Sequence, residues 1–536
     1  MNGYLIALIV FLAWIALVYY LRKRKWFERH NMSLMGPAVM WRTKRGRELV
    51  DRLSSHRRFW TFYSRLALWI CAGSMVTIMV LLLWEATLVS RIKQPPSPEL
   101  ILGIPGINPI IPVGYGILAL VVGIAVHEIA HGIITRLGGM KVLSLGLLFL
   151  VFPIGAFVEP DENDLKKTTR SKRAKVFAAG PATNILVALI FLALFSSLMM
   201  SSLEPVHEGA IATGVVGGSP AAVAGIAPNS LIVSVGGTPI STATDIQNRI
   251  SPDPGASVAV EYYYRGELKT ASDMTDGVVV SYVADGFAAY NCGMRVGMVL
   301  VSLNNTPISN IDALTSTMAR SHAGQTVSLT VMSLNSTSNA FEVNTSISAV
   351  TLSDKWDYYN EYAPSENEAS YHGVAYLGGG FLALGVSAVN VTAYTDLLAH
   401  PFGGDRSFDD FAKSWLRLIT LPFVDLAPVR SPVTDLYTPS GSLAWMPGTA
   451  FWLIANSLYW IFWINLMVGL TNVLPMVPLD GGYIFKDAFD YALTRVWKGA
   501  SREKIDEWSG NCVTLLSLFV FGLILWQLVG PALNNI

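Results

Sequence analysis

The 536-residue chain is 52% hydrophobic and only 14% charged, and its 38 basic and 38 acidic side chains cancel to a net charge of zero. An ordinary soluble chain is about a quarter charged, so the composition points to a membrane protein. It gives no reason to expect a nucleic-acid partner, because the basic runs flank apolar stretches. Three cysteines, Cys71, Cys292 and Cys512, suggest neither a disulfide framework nor a thiolate metal site, so any metal must be held by nitrogen and oxygen.

Six stretches are apolar and long enough to cross the hydrocarbon as helices: roughly 3–21, 66–90, 114–136, 176–200, 449–474 and 512–531. The first is followed, not preceded, by Arg22-Lys23-Arg24-Lys25 and lacks a small-residue cleavage site, so it reads as an anchor rather than a removed signal. Residues 22–65 carry 13 Lys+Arg against 3 Asp+Glu, and 161–175 carry 6 Lys+Arg, which assigns both to the cytoplasmic side. Alternation then puts the N-terminus and residues 201–448 outside. Residues 201–400 hold 6 Lys+Arg and 17 Asp+Glu, in keeping with that side.

The third span contains His127-Glu128-Ile129-Ala130-His131. Positions i and i+4 share one helix face, so the two imidazoles can meet one ion while Glu128 reaches a water bound to it. Ionisable side chains at membrane depth are costly and usually mark a function. The structural alternative is that both histidines bond to neighbouring helices without a metal. Next comes "LSLGLLFLVFPIGAFV", residues 143–158, apolar, broken by Gly146, Pro153 and Gly155, and short for a span. It reads as a re-entrant hairpin or as a buried structural loop. The fourth span opens with "VFAAGPATNILVALI".

In the outer segment, "GIAPNSLIVSVGGTPIS" (225–241) aligns without a gap to "GMRVGMVLVSLNNTPIS" (293–309), an offset of 68 residues. Each copy continues into a helix start and a β-rich run, "GASVAVEYYY" and "GQTVSLTVMSL". The order resembles PDZ domains of the kind attached to membrane proteases, although Ser230 and Met298 stand where those have an acidic residue. A peptide can add a strand to the edge of such a domain. Within 351–400, "SYHGVAYLGGGFLALGVSAVNVTAY" is a candidate closing strand, and 408–427 is a candidate interfacial helix, too short and charged to span. Asn335, Asn344 and Asn390 head glycosylation sequons on the expected outer side.

A catalytic zinc site usually has three protein ligands. The missing one should be a carboxylate near membrane depth, and Asp480 fits: it ends the charge-free run that follows Asp435, in "LTNVLPMVPLDGGYIF". A helix-terminating Asp-Gly turn explains it equally, and the two roles are compatible. The pentad, Gly180-Pro181 with Asn184, and Asn472, Pro475, Leu479, Asp480 and Gly481 together resemble the site-2 protease family of intramembrane zinc metalloproteases. The resemblance covers roughly 114–345 and 449–485.

That resemblance implies one catalytic Zn2+ held by His127, His131 and Asp480, with Glu128 as general base. Asn184 and Asn472 are candidates for contacting substrate backbone or the oxyanion, or else interhelical hydrogen bonds. The expected fold is a polytopic α-helical membrane protein of about six transmembrane helices, with a re-entrant hairpin and an extracytoplasmic tandem of PDZ-like α+β domains. Its parts run 1–65 (anchor and basic loop), 66–113 (second helix and outer linker), 114–204 (first part of the membrane core), 205–275 and 276–350 (PDZ-like domains), 351–448 (linker), and 449–536 (second part of the core). The expected partners are the lipid bilayer and a transmembrane protein substrate already trimmed by another protease. The expected location is the cell membrane, with the active site toward the cytoplasm. The alternative functions are an inert scaffold that binds membrane proteins through the PDZ-like domains and, less favoured, a metal transporter, which would need polar residues along several spans.

Overall fold

The structure, a computed structural model, describes residues 3–533 apart from 31, 44–45, 90–96, 102, 151, 345–346, 348, 403–406 and 425. Two compact units emerge: residues 1–195, 419–428 and 453–536 form one, and 196–418 with 429–452 form the other.

The long helices that lie wholly or mainly in the first unit are α1 (Gly3–Lys23), α2 (Arg57–Leu88), α3 (Val113–Leu137), α4 (Arg170–Ala193), α5 (Gly448–Asn472), α6 (Asp480–Val496) and α7 (Arg502–Leu533). Among the described residues, five helical segments are long and apolar enough to cross a membrane: Arg57–Leu88, Val113–Leu137, Arg170–Ser202, Gly448–Asn472 and Arg502–Pro531. These correspond to five of the six expected spans. The other, 3–21, is helical but is not among the five.

Small residues let these helices approach closely. Ala178, Ala179, Ala182 and Ala188 on α4 are fully buried. A Cβ on Gly469 of α5 would stand 2.8 Å from Ile185 Cγ1 and 3.1 Å from the Pro181 carbonyl oxygen of α4. Tyr63 of α2 donates to the Ala179 carbonyl at 3.1 Å.

Helix α3 ends in a Schellman motif. Gly139 has φ of 83° and donates to Arg136, while Met140 donates to Thr135. This sharp stop directs the chain into an antiparallel hairpin of β3 (Val142–Leu150) and β4 (Phe152–Pro160), joined to β1 (Met32–Met35) and β2 (Ala38–Thr43) in one sheet of order β1-β2-β3-β4. The stretch 143–158 is thus a strand pair. Strand β3 is not an edge: residues 145–149 pair with 39–43 on one side and with β4 on the other. The edge next to α3 is β4.

The second unit repeats one architecture. Its first sheet has the order β8-β7-β6-β5-β14, from Ala210–Val215 (β5), Leu231–Val235 (β6), Ser257–Tyr264 (β7), Glu267–Thr275 (β8) and Val386–Asn390 (β14). The other has the order β12-β11-β10-β9-β13, from Val278–Val283 (β9), Val299–Leu303 (β10), Leu329–Asn335 (β11), Ala340–Asn344 (β12) and Gly379–Ala383 (β13). Strands β5 and β9, and likewise β6 and β10, start 68 residues apart, as the sequence repeat does. Residues 351–390, read as linker with one candidate closing strand, supply a closing strand to each sheet. The later strand β14 closes the earlier sheet, and β13 closes the later one.

Among the sequons, Asn390 has its side-chain oxygen spent on the Ala243 N–H at 2.6 Å, and Asn335 bonds to Glu342 and Thr337. Residues 345–346 of the Asn344 sequon lie outside the described residues. The segment read as interfacial forms the helix Phe408–Thr420. It ends where Trp463, well inside α5, donates to the Ile419 carbonyl at 2.9 Å.

Candidate metal centre

His127 and His131 lie on one face of α3, as their spacing dictates, and α4 crosses that face. The crossing works because position 180 is glycine. A Cβ there would overlap His131 Nε2 and stand 2.6 Å from His127 Nε2. Asp480 arrives from the other end of the sequence as the first residue of α6. Its turn is tight: a Cβ on Gly481 would strike the carbonyl oxygens of Val473 and Leu474, and one on Gly482 would stand 2.7 Å from that of Met476. The Asp-Gly-Gly sequence is therefore a steric requirement of folding the chain back on α5.

The three side chains converge. His127 Nε2 and His131 Nε2 are 3.0 Å apart, and Asp480 Oδ2 is 3.2 and 3.3 Å from them. Ligands about 2.0–2.1 Å from a tetrahedral zinc ion lie about 3.3 Å from one another, so the triangle has the dimensions of three such ligands.

The outer ring nitrogens settle what faces the centre. His131 Nδ1 is 2.7 Å from the Val176 carbonyl, which only accepts, so Nδ1 carries the proton. Asn184 donates through Nδ2 to the Gly123 carbonyl at 3.2 Å, which fixes its amide orientation and turns Oδ1 toward His127 Nδ1 at 3.1 Å. His127 Nδ1 is therefore a donor as well. With neutral rings, two lone pairs and a carboxylate oxygen face one point with no proton between them. Three acceptors in contact repel unless a cation joins them, so the donor set fits a divalent metal.

Glu128, next to His127 on α3, is half-buried. Its Oε2 accepts the Val158 N–H of β4 at 2.8 Å. Asn184 is fully buried and engaged at both ends of its amide, to His127 and to the Gly123 carbonyl, and so joins α3 to α4. Asn472 is half-buried and donates to the Val468 carbonyl of its own helix at 3.1 Å.

Sequence reasoning missed the ion pairs that hold α6 in place. Arg173 Nε lies 3.0 Å from both oxygens of buried Asp487, and Arg170 Nε lies 3.5 Å from buried Asp490. Two arginines one turn apart on α4 thus meet two aspartates on α6. The only available signal was the acidic pair at 487 and 490, which has helical spacing.

The sequence model of peptidase family M50 matches residues 115–504. An uncharacterised protein of Methanocaldococcus jannaschii is 30% identical over 158 residues, which is 29% of this chain and 42% of that protein. The zinc metalloprotease Rip1 of Mycobacterium tuberculosis is 26% identical over 183 residues, 26% of this chain and 45% of the relative. A putative zinc metalloprotease of Clostridium perfringens is 33% identical over 156 residues, 28% of this chain and 45% of the relative. The chain thus spans less than half the length of these curated relatives.

Proposed function

Since the chain belongs to peptidase family M50, the site-2 protease family, we propose that it is an intramembrane zinc endopeptidase that hydrolyses a peptide bond within or near a transmembrane segment. The observation that carries this reading is the convergence of His127, His131 and Asp480 on one point with both histidine tautomers fixed. An inert scaffold has no use for three acceptors held in contact.

His127, His131 and Asp480 hold one zinc ion, which when bound supplies a Lewis acid and lowers the pKa of a water to about 7. Glu128 accepts the proton of the attacking water and returns it to the departing amine as the carbonyl carbon gains an oxygen and loses its nitrogen. Asn184 keeps the His127 ring in place. Asn472 is the asparagine left to contact substrate backbone.

A helical substrate hides its peptide bonds in its own hydrogen bonds and must unwind to be cut. Its freed backbone groups then need partners that lipid does not provide. The outer edge of β4, on the hairpin we read as re-entrant, offers them. With Val158 N–H turned away from β3, the alternation of an antiparallel ladder turns Ala156 N–H the same way. By the charge distribution, the site lies toward the cytoplasm and the two repeated sheets, which we read as PDZ-like, lie outside. There they act as a size filter that favours substrates already trimmed by another protease.

The test is direct. Purified protein should contain about one zinc per chain and cut a model transmembrane segment, and Glu128→Gln should retain the zinc while cleavage falls at least about 100-fold. Protein without zinc, or cleavage that survives this substitution, would rule the reading out.

A further inference from the structure

We infer that the hairpin holds the general base as well as offering an edge to substrate: the backbone N–H of Val158 positions Glu128. This inference rests on the proteolytic reading above, but the contact itself does not.

Glu128 sits one residue after a histidine whose ring is held at both nitrogens, so its backbone is fixed while its three side-chain torsions are not. A base that must meet a water proton within hydrogen-bond reach gains from having those torsions fixed beforehand. Among the described residues, the one hydrogen bond of the Glu128 carboxylate is that which Oε2 accepts from Val158 N–H at 2.8 Å. The donor is a peptide group, which cannot rotate away as a side chain would.

The donor is itself braced. Val158 is buried and pairs with Leu145 across the hairpin. A Cβ on Gly132 of α3 would stand 3.4 Å from Val158 Cγ1, so the helix lies directly against the strand. Next to it, Glu159 accepts from Ser144 Oγ at 2.5 Å and pairs with Arg42 of β2 at 3.7 Å. Strands β1 and β2 cover the far side of β3, so the N-terminal segment 32–43 stiffens the strand that touches the base. Oε2 takes the amide, and Oε1 remains to receive the proton. Because the amide and the carboxylate face each other across the free edge of β4, the contact also ends the row of edge amides open to a substrate strand, one pairing position beyond Ala156.

Val158→Pro deletes this donor, and proline is tolerated on an edge strand where the N–H points away from the ladder. We expect kcat to fall about 10–100-fold, as for a misplaced catalytic group, with KM and zinc content held. Ala156→Pro, which removes an edge amide that does not touch Glu128, should instead raise KM and keep kcat at least ten times that of Val158→Pro. A second measurement needs neither proline nor cleavage. In Glu128→Ala, residue-resolved hydrogen exchange at the Val158 amide should quicken at least tenfold, while Phe157, bonded into the ladder, stays as in the wild type. A kcat for Val158→Pro within twofold of wild type, or unchanged exchange at Val158 in Glu128→Ala, would overturn the inference. If Glu128→Gln cuts normally while the exchange result holds, the proteolytic role of Glu128 fails and the contact stands.

Discussion

At the scale of single residues, the centre depends on an atom that is missing. Gly180 lies in a well-packed helix, where glycine costs about 1 kcal/mol relative to alanine, yet alanine would put a methyl group onto both Nε2 atoms. Gly180→Ala should therefore lower zinc affinity about 10–100-fold, the range seen when the surroundings of a ligand are disturbed, while the helical circular dichroism of the protein is retained. Competition with a zinc chelator measures this, and unchanged affinity would show that the rings have room to move. The sequence made the three converging side chains legible because the i, i+4 spacing of His127 and His131 and the lone carboxylate at 480 carry their chemistry in side chains. It could not reveal the Val176 carbonyl or the Val158 N–H, because backbone groups are the same at every residue. Asn184 was visible as a polar residue in a span, but its role follows from a contact 57 positions away.

At the scale of elements, Asp480 is only as well placed as α6. Asp487 on that helix is 3% exposed at its side chain, and Arg173 is 23% exposed. Removing one partner of a buried ion pair leaves an uncompensated charge and costs about 3–5 kcal/mol, whereas an apolar pair of similar volume is often neutral. Arg173→Ala should lower the thermal midpoint of the purified protein and weaken zinc binding. The double variant Arg173→Met with Asp487→Leu should recover most of both. Thermal unfolding in detergent with zinc titration tests the set, and a double variant as weak as the single one would mean that the pair contributes more than cancelled charge. The spans were legible because a helix buries its own hydrogen bonds and so announces itself by length and apolarity alone. The four-stranded sheet was only half legible. Its inner hairpin joins neighbours in sequence, but β2 reaches β3 across about a hundred residues, and no local pattern in 32–43 names its partner.

At the scale of the whole molecule, the second unit is where sequence boundaries and folding boundaries diverge. The repeat divides naturally at 275 and 350, yet each sheet lacks an edge until 379–390 is added, and the two closing strands go to the sheets in reverse order. Leu384, in the link between them, is buried in the core of the first sheet and donates to Gly277 at the start of the second. Gly385 has φ of 76°, and a Cβ there would stand 2.6 Å from Ser219 Cβ and 3.3 Å from Val279 Cγ1, one residue from each half. A single chain reversal therefore locks both sheets, and neither can open its closing strand without straining the other. A fragment of residues 205–350 should lack cooperative unfolding, whereas 205–400 should unfold in one transition. In the full chain, Gly385→Ala carries a left-handed backbone penalty of about 1–3 kcal/mol together with the steric clash. It should speed hydrogen exchange in Leu231–Val235 and Val299–Leu303 together. If only one of those strands loses protection, or if 205–350 unfolds cooperatively, the sheets are independent modules.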